Sequence, residues 1–317
     1  MQMPKDHAIA DLQSQMRSFI GRHADKRFDW DAFPANRGFP ELERAQMRYI
    51  GAGGSPKVDD RTTLKAEHFT LSLIHQPVGK YAAAHAHEVK ESFLVLQGIL
   101  TVGWAWDEEV IETHLGPKDL CLNASGRPHG FRNEGIEPVL CSITVGSGRP
   151  LAPIYACHPR DHDPAIAAAF GAKPGTVHAL APDSADPRHA EFARHIVRYR
   201  QQPAQFHPAD FGRKVYIGEG GAPASSYRMD LIDLPRSRGV GLYEREVEDV
   251  YLVLEGVLTV GWAEGGRVFE ERLGAKDAVF NPAGRPHYFR NDGFEDAQFM
   301  MLVGTPKPED VVFRAAA

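Results

Sequence analysis

Cysteine is scarce in this chain. Its 317 residues hold three, Cys121, Cys141 and Cys157, with no CxxC pair. That excludes a disulfide framework and a thiolate zinc site. No apolar run approaches the roughly 18 residues a membrane span needs. The opening MQMPKDHAIADLQSQMRSF lacks the apolar core of a secretory leader. Positive charge is not in excess: 36 Lys and Arg stand against 42 Asp and Glu, for a net charge of -6. Without a basic block, nucleic acid and membrane surfaces are poor partners. The expectation is a cytoplasmic protein with a small-molecule partner, and assembly into a homo-oligomer is left open. A 43% hydrophobic content excludes a disordered chain, and 30 Gly with 23 Pro favour a turn-rich fold.

What is present is a repeat. Residues 88–105, EVKESFLVLQGILTVGWA, return as EVEDVYLVLEGVLTVGWA at 246–263, an offset of 158. GRPHGFRNEG (126–135) returns as GRPHYFRNDG (284–293) at the same offset. About 27 of the 48 positions from 88 to 135 are identical to their partners. Upstream, YIGAGGSP (49–56) matches YIGEGGAP (216–223) at an offset of 167, so the first copy carries nine extra residues around Lys57–His68. Self-similarity of this length means one domain used twice.

Each copy reads as β structure. Phe69–His75, Ser92–Leu96 and Ile99–Trp104 are short, β-branched and aromatic runs punctuated by Gly79, Gly98, Gly116 and Gly126. Such spacing suggests a sandwich or closed barrel. Helices are expected outside the copies, at Asp6–Ile20, Pro164–Phe170 and Asp186–Tyr199. The expected layout is an N-terminal helical extension (1–45), a first repeat domain (46–150), a helix-containing connector (151–205) and a second repeat domain (206–317).

His85, His87 and Glu91 share parity in a strand-like stretch, so they project from one face. His129 follows Gly126-Arg-Pro near the start of another strand. If the domain closes, three imidazoles and a carboxylate converge, a donor set suited to a divalent transition metal. Without a metal, Glu91 would be a costly buried charge. Phe93 and Val95 share the face of Glu91, and Phe131 that of His129, which makes them pocket candidates or simple core.

Gly79-x5-His85-x-His87-x3-Glu91-x6-Gly98 resembles the first cupin motif without deviation. Gly116-x7-Ala124-x-Gly126-x2-His129-x3-Asn133 resembles the second, with two extra residues and Ala124 where proline is usual. The chain therefore resembles the cupin superfamily, and the bicupins in particular. The resemblance implies a mainly β fold of two tandem jelly-roll barrels, with His85, His87, Glu91 and His129 as metal ligands.

The second copy departs from the motif. His85, His87 and Glu91 become Tyr243, Arg245 and Asp249, and only His129 keeps its like, His287. Arginine has no lone pair to offer a metal. Either Arg245 and Asp249 form an ion pair, or Tyr243, Arg245 and His287 form an anion pocket. In both cases one metal per chain is expected.

Four protein donors would saturate zinc but leave two positions open on a six-coordinate ion. Fe(II) is the expected metal, with Mn(II) or Ni(II) as alternatives. One metal-bearing and one degenerate copy resembles the gentisate-dioxygenase type of bicupin, although that type lacks the glutamate. The full donor set resembles quercetin dioxygenase, acireductone dioxygenase and oxalate decarboxylase. The expectation is an Fe(II) dioxygenase on a small aromatic or enolisable substrate. The alternatives are a non-oxidative isomerase, lyase or decarboxylase, and a non-catalytic binding module.

Other signals are read as scaffold. YIGAGG is a turn rather than a phosphate loop. Cys157, His158 and His162 form a solvated loop. Cys121 and Cys141 are core, and Arg127 and Arg285 brace a turn or an ion pair. His75 and His114 have nothing that puts them inside a barrel.

Overall fold

The computed structural model describes residues 5–173, 176–307, 311 and 313, with side chains from Leu12 onwards. The last residues of the expected second domain, and the side chains at the start of the N-terminal helix, lie outside that description. By contacts the chain forms two compact units, one of residues 28–202 with 219–226, the other of 1–27, 203–218 and 227–317.

The first unit contains two six-stranded sheets. One runs, edge to edge, Ile196–Val197, Leu120–Asn123, Glu91–Gln97, Val139–Val145, Leu71–Gln76, Ala45–Ile50. The other runs Ile154–Tyr155, Tyr81–Ala86, His129–Arg132, Leu100–Trp106, Glu109–Leu115, Thr176–Ala179. All neighbours are antiparallel except the last pair, which is parallel. Alternation along the strands sends Phe93, Val95, Val102, Trp104, Ile111, Phe131 and Ile143 into one buried cluster.

The stretch after Gly146 is not a free connector. It adds Ile154–Tyr155, Thr176–Ala179 and Ile196–Val197 as edge strands to the first unit. The expected helix at Pro164–Phe170 is a 3-10 segment, Pro164–Ala169. The other is an α-helix only over Pro187–Ala193, capped by Asp186, whose carboxylate accepts from the Arg188 amide at 2.9 Å. Phe170 lies flat on Gly103 and Gly130, where an added Cβ would stand 2.7 and 2.3 Å from its ring. Neither position admits a larger residue while Phe170 is there.

The second unit holds a seven-stranded sheet and a three-stranded sheet of Arg267–Leu273, Leu258–Glu264 and His287–Arg290. The counterpart of Tyr81–Ala86 is reduced to two bridges, Gly239 with Arg290 and Tyr243 with His287. The N-terminal helix, Lys5–Ser18, belongs to this unit, and Ile20–Gly21 pairs with Ala278–Asn281 as its edge strand. Met16 and Leu12 pack into its core. No helix among the described residues is long and apolar enough to cross a membrane.

Candidate metal centre

Two sheets supply the cluster in the first unit. His85 is the penultimate residue of the strand Tyr81–Ala86, and His87 follows its end. His129 opens its own strand directly opposite His85. Glu91 opens Glu91–Gln97 on the facing sheet. The four offered donor atoms lie within 4.8 Å of one another, and all four residues are buried. They form a group able to hold a divalent metal ion.

Hydrogen bonding fixes the imidazoles. His85 Nδ1 donates to the Ala83 carbonyl at 2.8 Å, and His129 Nδ1 donates to the Arg127 carbonyl at 2.9 Å. In the neutral rings this leaves both Nε2 lone pairs free as ligands. His129 Nε2 stands 2.9 Å from Glu91 Oε2, and His87 Nε2 stands 3.6 Å from Oε1. A nitrogen lone pair facing a carboxylate oxygen at that distance needs a positive centre, a proton or a metal, to hold both. The donor set therefore fits a divalent ion. Burial pushes the His85 and His87 pKa values down, the first far below the ordinary 6.5. Burial alone would raise Glu91, but His87, the hydrogen bond with His129 and the His85 ring outweigh it and hold it at about 2. Two neutral imidazoles and a carboxylate are thus ready for a metal at neutral pH.

Above the cluster is a cavity of about 30 Å3. Phe131 lines it. Phe93 and Val95 do not: both are fully buried in the core below it. They share the face of Glu91 but sit deeper along the strand, so their role is packing. The glycine loop read as plain scaffold is part of the wall. Gly53 and Gly54 line the cavity at φ +55° and +79°, and a Cβ on Gly54 would meet His87 Cε1 at 3.5 Å. Gln46 holds the loop through the Ala52 and Gly53 carbonyls, at 3.1 and 2.9 Å.

Sequence reasoning missed Arg44 and Tyr155. Tyr155, on the edge strand Ile154–Tyr155, pairs with His85 of the neighbouring strand and lines the cavity. Arg44, immediately before the strand Ala45–Ile50, lines it too. Arg44 is 8% exposed, and its one side-chain hydrogen bond among the described residues is to the Leu42 carbonyl at 3.4 Å. Its guanidinium lies 4.1 Å from the Phe33 ring centroid, and no carboxylate among the described residues forms an ion pair with it. Burial lowers its pKa to about 10, so it stays charged at neutral pH. No motif marks Arg44; its only sequence signal is that the same place in the other copy, 167 residues on, is Phe211.

The remaining candidates fall elsewhere. His75 packs against Phe28 and Trp30, and His114 is exposed beside Thr101. His162 corrects the solvated-loop expectation: its side chain is 3% exposed and bonded to Glu41. The Arg127 guanidinium stacks 4.6 Å from the Trp106 centroid, and that of Arg285 5.0 Å from Trp262.

In the second unit the same pocket is filled from within. Arg245 Nε donates to Asp249 Oδ2 at 2.7 Å, and Asn281 donates to Oδ1 at 2.8 Å. His287 Nε2 stands 3.2 Å from the same carboxylate, and Tyr243 and Tyr251 point their hydroxyls at it from 3.5 and 3.4 Å. Burial would raise Asp249, but His287 and Arg245 hold it at about 2. The anion facing Arg245 is thus the chain's own Asp249.

Comparison with known proteins agrees with this geometry. The cupin-domain family profile matches residues 72–146 and 233–303. Similar solved structures include a tryptophan-to-tyrosine variant of oxalate decarboxylase from Bacillus subtilis, with TM-score 0.66 and 15% identity over 98% of this chain and 86% of that one. The formate complex of oxalate decarboxylase from Lactobacillus farciminis has TM-score 0.64 and 13% identity over 94% and 88%. The chain belongs to the cupin superfamily as a bicupin. No curated protein matches it. A further structure of the B. subtilis enzyme, at TM-score 0.65 and 15% identity over 98% and 86%, concerns its Mn(II) centres. The expected iron dioxygenase finds no support among these neighbours, which are decarboxylases. At such identities the likeness speaks for fold, and function must come from the site.

Proposed function

We propose that this bicupin is a non-oxidative metal-dependent enzyme of lyase, decarboxylase or isomerase type, acting on a small carboxylate in the amino-terminal barrel. Arg44 carries the reading. A buried guanidinium with no carboxylate in ion-pair contact, drawn to Glu91 only at longer range, is costly. Its place in the cavity beside His85, His87 and Glu91 is accounted for by an anionic ligand. A divalent ion held by His85, His87, Glu91 and His129 would supply Lewis acidity to a carboxylate or enolate oxygen. Mn(II) is favoured by the structural neighbours.

The side chains divide the remaining work. Arg44 binds and orients the carboxylate through its fork of N–H donors. Phe33, Ile74, Phe131 and Ile143 keep the wall apolar, which strengthens that contact. Tyr155 is the one lining side chain, apart from the cluster and Arg44, with an exchangeable proton. It is suited to hold the proton that must reach carbon when a carboxylate is lost.

The test is calorimetric titration of Mn(II)-loaded protein with small carboxylates, beside an oxygen-electrode trace. We expect binding that weakens about 10- to 100-fold in Arg44→Met, as for loss of a charged hydrogen bond. Substrate loss is expected without dioxygen uptake. Uptake matched to substrate loss would return the dioxygenase reading.

A further inference from the structure

The inner cavity of about 30 Å3 leaves room for little beyond a carboxylate and its neighbouring atom. It is not closed. A second cavity of about 300 Å3 shares Phe33, Gly54, Pro153 and Tyr155 with it. No lining residue of that chamber carries a formal charge. Its polar side chains are the shared Tyr155 and Ser55, and the Ser55 hydroxyl is spent on the Ala32 carbonyl at 2.6 Å. The rest is apolar, with Val58 and Leu151 left 65% and 66% exposed at the wall.

The chamber is a built wall. Four of its lining residues are prolines, Pro34, Pro56, Pro150 and Pro153, whose fixed φ lowers the cost of ordering it. Val58 belongs to the nine-residue insertion that the other copy lacks. Lys57 Nζ to Asp29 at 2.8 Å and Arg48 Nε to Asp60 at 3.0 Å pin that insertion down. The Leu64 amide also bonds the Tyr49 carbonyl at 3.0 Å. The added segment thus contributes Val58 to the wall of an apolar chamber, at the lower end of small-ligand pocket sizes, whose lining is continuous with that of the cavity at the ligand cluster.

We infer that the substrate is a carboxylic acid with a compact apolar tail, alkyl or phenyl. Its carboxylate meets Arg44 over the cluster and its tail lies in the chamber. A bare dicarboxylate such as oxalate would leave the chamber wall wet. The inference rests on the anionic-substrate reading above and goes further by naming the tail.

The test compares oxalate, 4-methyl-2-oxopentanoate and benzoylformate by titration calorimetry on Mn(II)-loaded protein. The two tailed acids are expected to bind at least about 10-fold more tightly than oxalate, as for burial of one or two methylene equivalents. Leu151→Asp and Val58→Asp should each cancel that preference, with metal content per chain as the check on an intact barrel. Oxalate binding as tightly as the tailed acids overturns the inference and leaves the anionic-substrate reading standing. So does a preference that survives both aspartates. Failure of all three acids to bind the Mn(II)-loaded protein overturns both.

Discussion

The two barrels solve one electrostatic problem in two ways. Each places a buried carboxylate beside a histidine whose Nδ1 is committed to a backbone carbonyl: Glu91 with His129, Asp249 with His287. Each carboxylate then needs a cation. The second barrel brings its own, the Arg245 guanidinium, and shortens Glu to Asp, which makes room for it. The first offers two further imidazoles in place of Tyr243 and Arg245, and so asks for a metal. The walls change in step. Where the first has Arg44 and Tyr155, the second has Phe211 and Phe313, whose rings lie 5.6 Å apart, with Phe313 4.8 Å from Tyr243. On the proposed reading one barrel takes a charged ligand, while the other is filled by its own side chains.

The sharpest way to break this comparison is to remove a donor. His87→Ala and His129→Ala should each lower metal affinity by at least about 100-fold, since even outer-shell partners cost 10- to 100-fold. A competition titration with a metallochromic chelator reads this. Next in size is Arg245→Leu, which strands Asp249 in the core and should destabilise the second unit by about 3–5 kcal/mol. Urea unfolding would show the loss. Arg245→Leu with Asp249→Val should recover only part of it, because the stranded charge is gone while Asn281 and His287 lose their buried acceptor.

Acid should act on the metal-free protein in a defined direction. His85 and His87 have folded pKa values below the ordinary 6.5, so the unfolded chain binds more protons there and stability falls as pH drops below that value. Glu91, held at about 2, contributes stability above its ordinary 4.5 that is lost as pH falls towards 2. Denaturation midpoints from pH 8 to 4 should fall for the metal-free protein, and those with and without metal should converge on the acid side as protons displace the ion from the imidazoles. The smallest effect is expected from Phe93→Leu: about 1 kcal/mol of stability by repacking, with carboxylate affinity unaltered.

Much of this was legible in the sequence. The repeat and the His85-x-His87-x3-Glu91 spacing gave the barrels and the cluster, because strand parity puts those side chains on one face. Tyr243, Arg245 and Asp249 were legible as a lost set for the same reason. Parity does not report depth, so Phe93 and Val95 were candidates for a wall they lie beneath. Arg44 was hidden because it enters from a loop outside either motif. Pairings between distant segments were hidden too. Nothing local in Ile20–Gly21 announces Ala278–Asn281 as its partner, and nothing in a Pro-rich stretch announces that Tyr155 will pair beside His85.

The most direct measurement is elemental analysis of the purified protein after loading with Mn(II) and removal of the excess. The account predicts one ion per chain, retained in the Arg245→Leu, Asp249→Val double variant and lost in His87→Ala. Two ions per chain, or none, or an ion that survives His87→Ala, would contradict it.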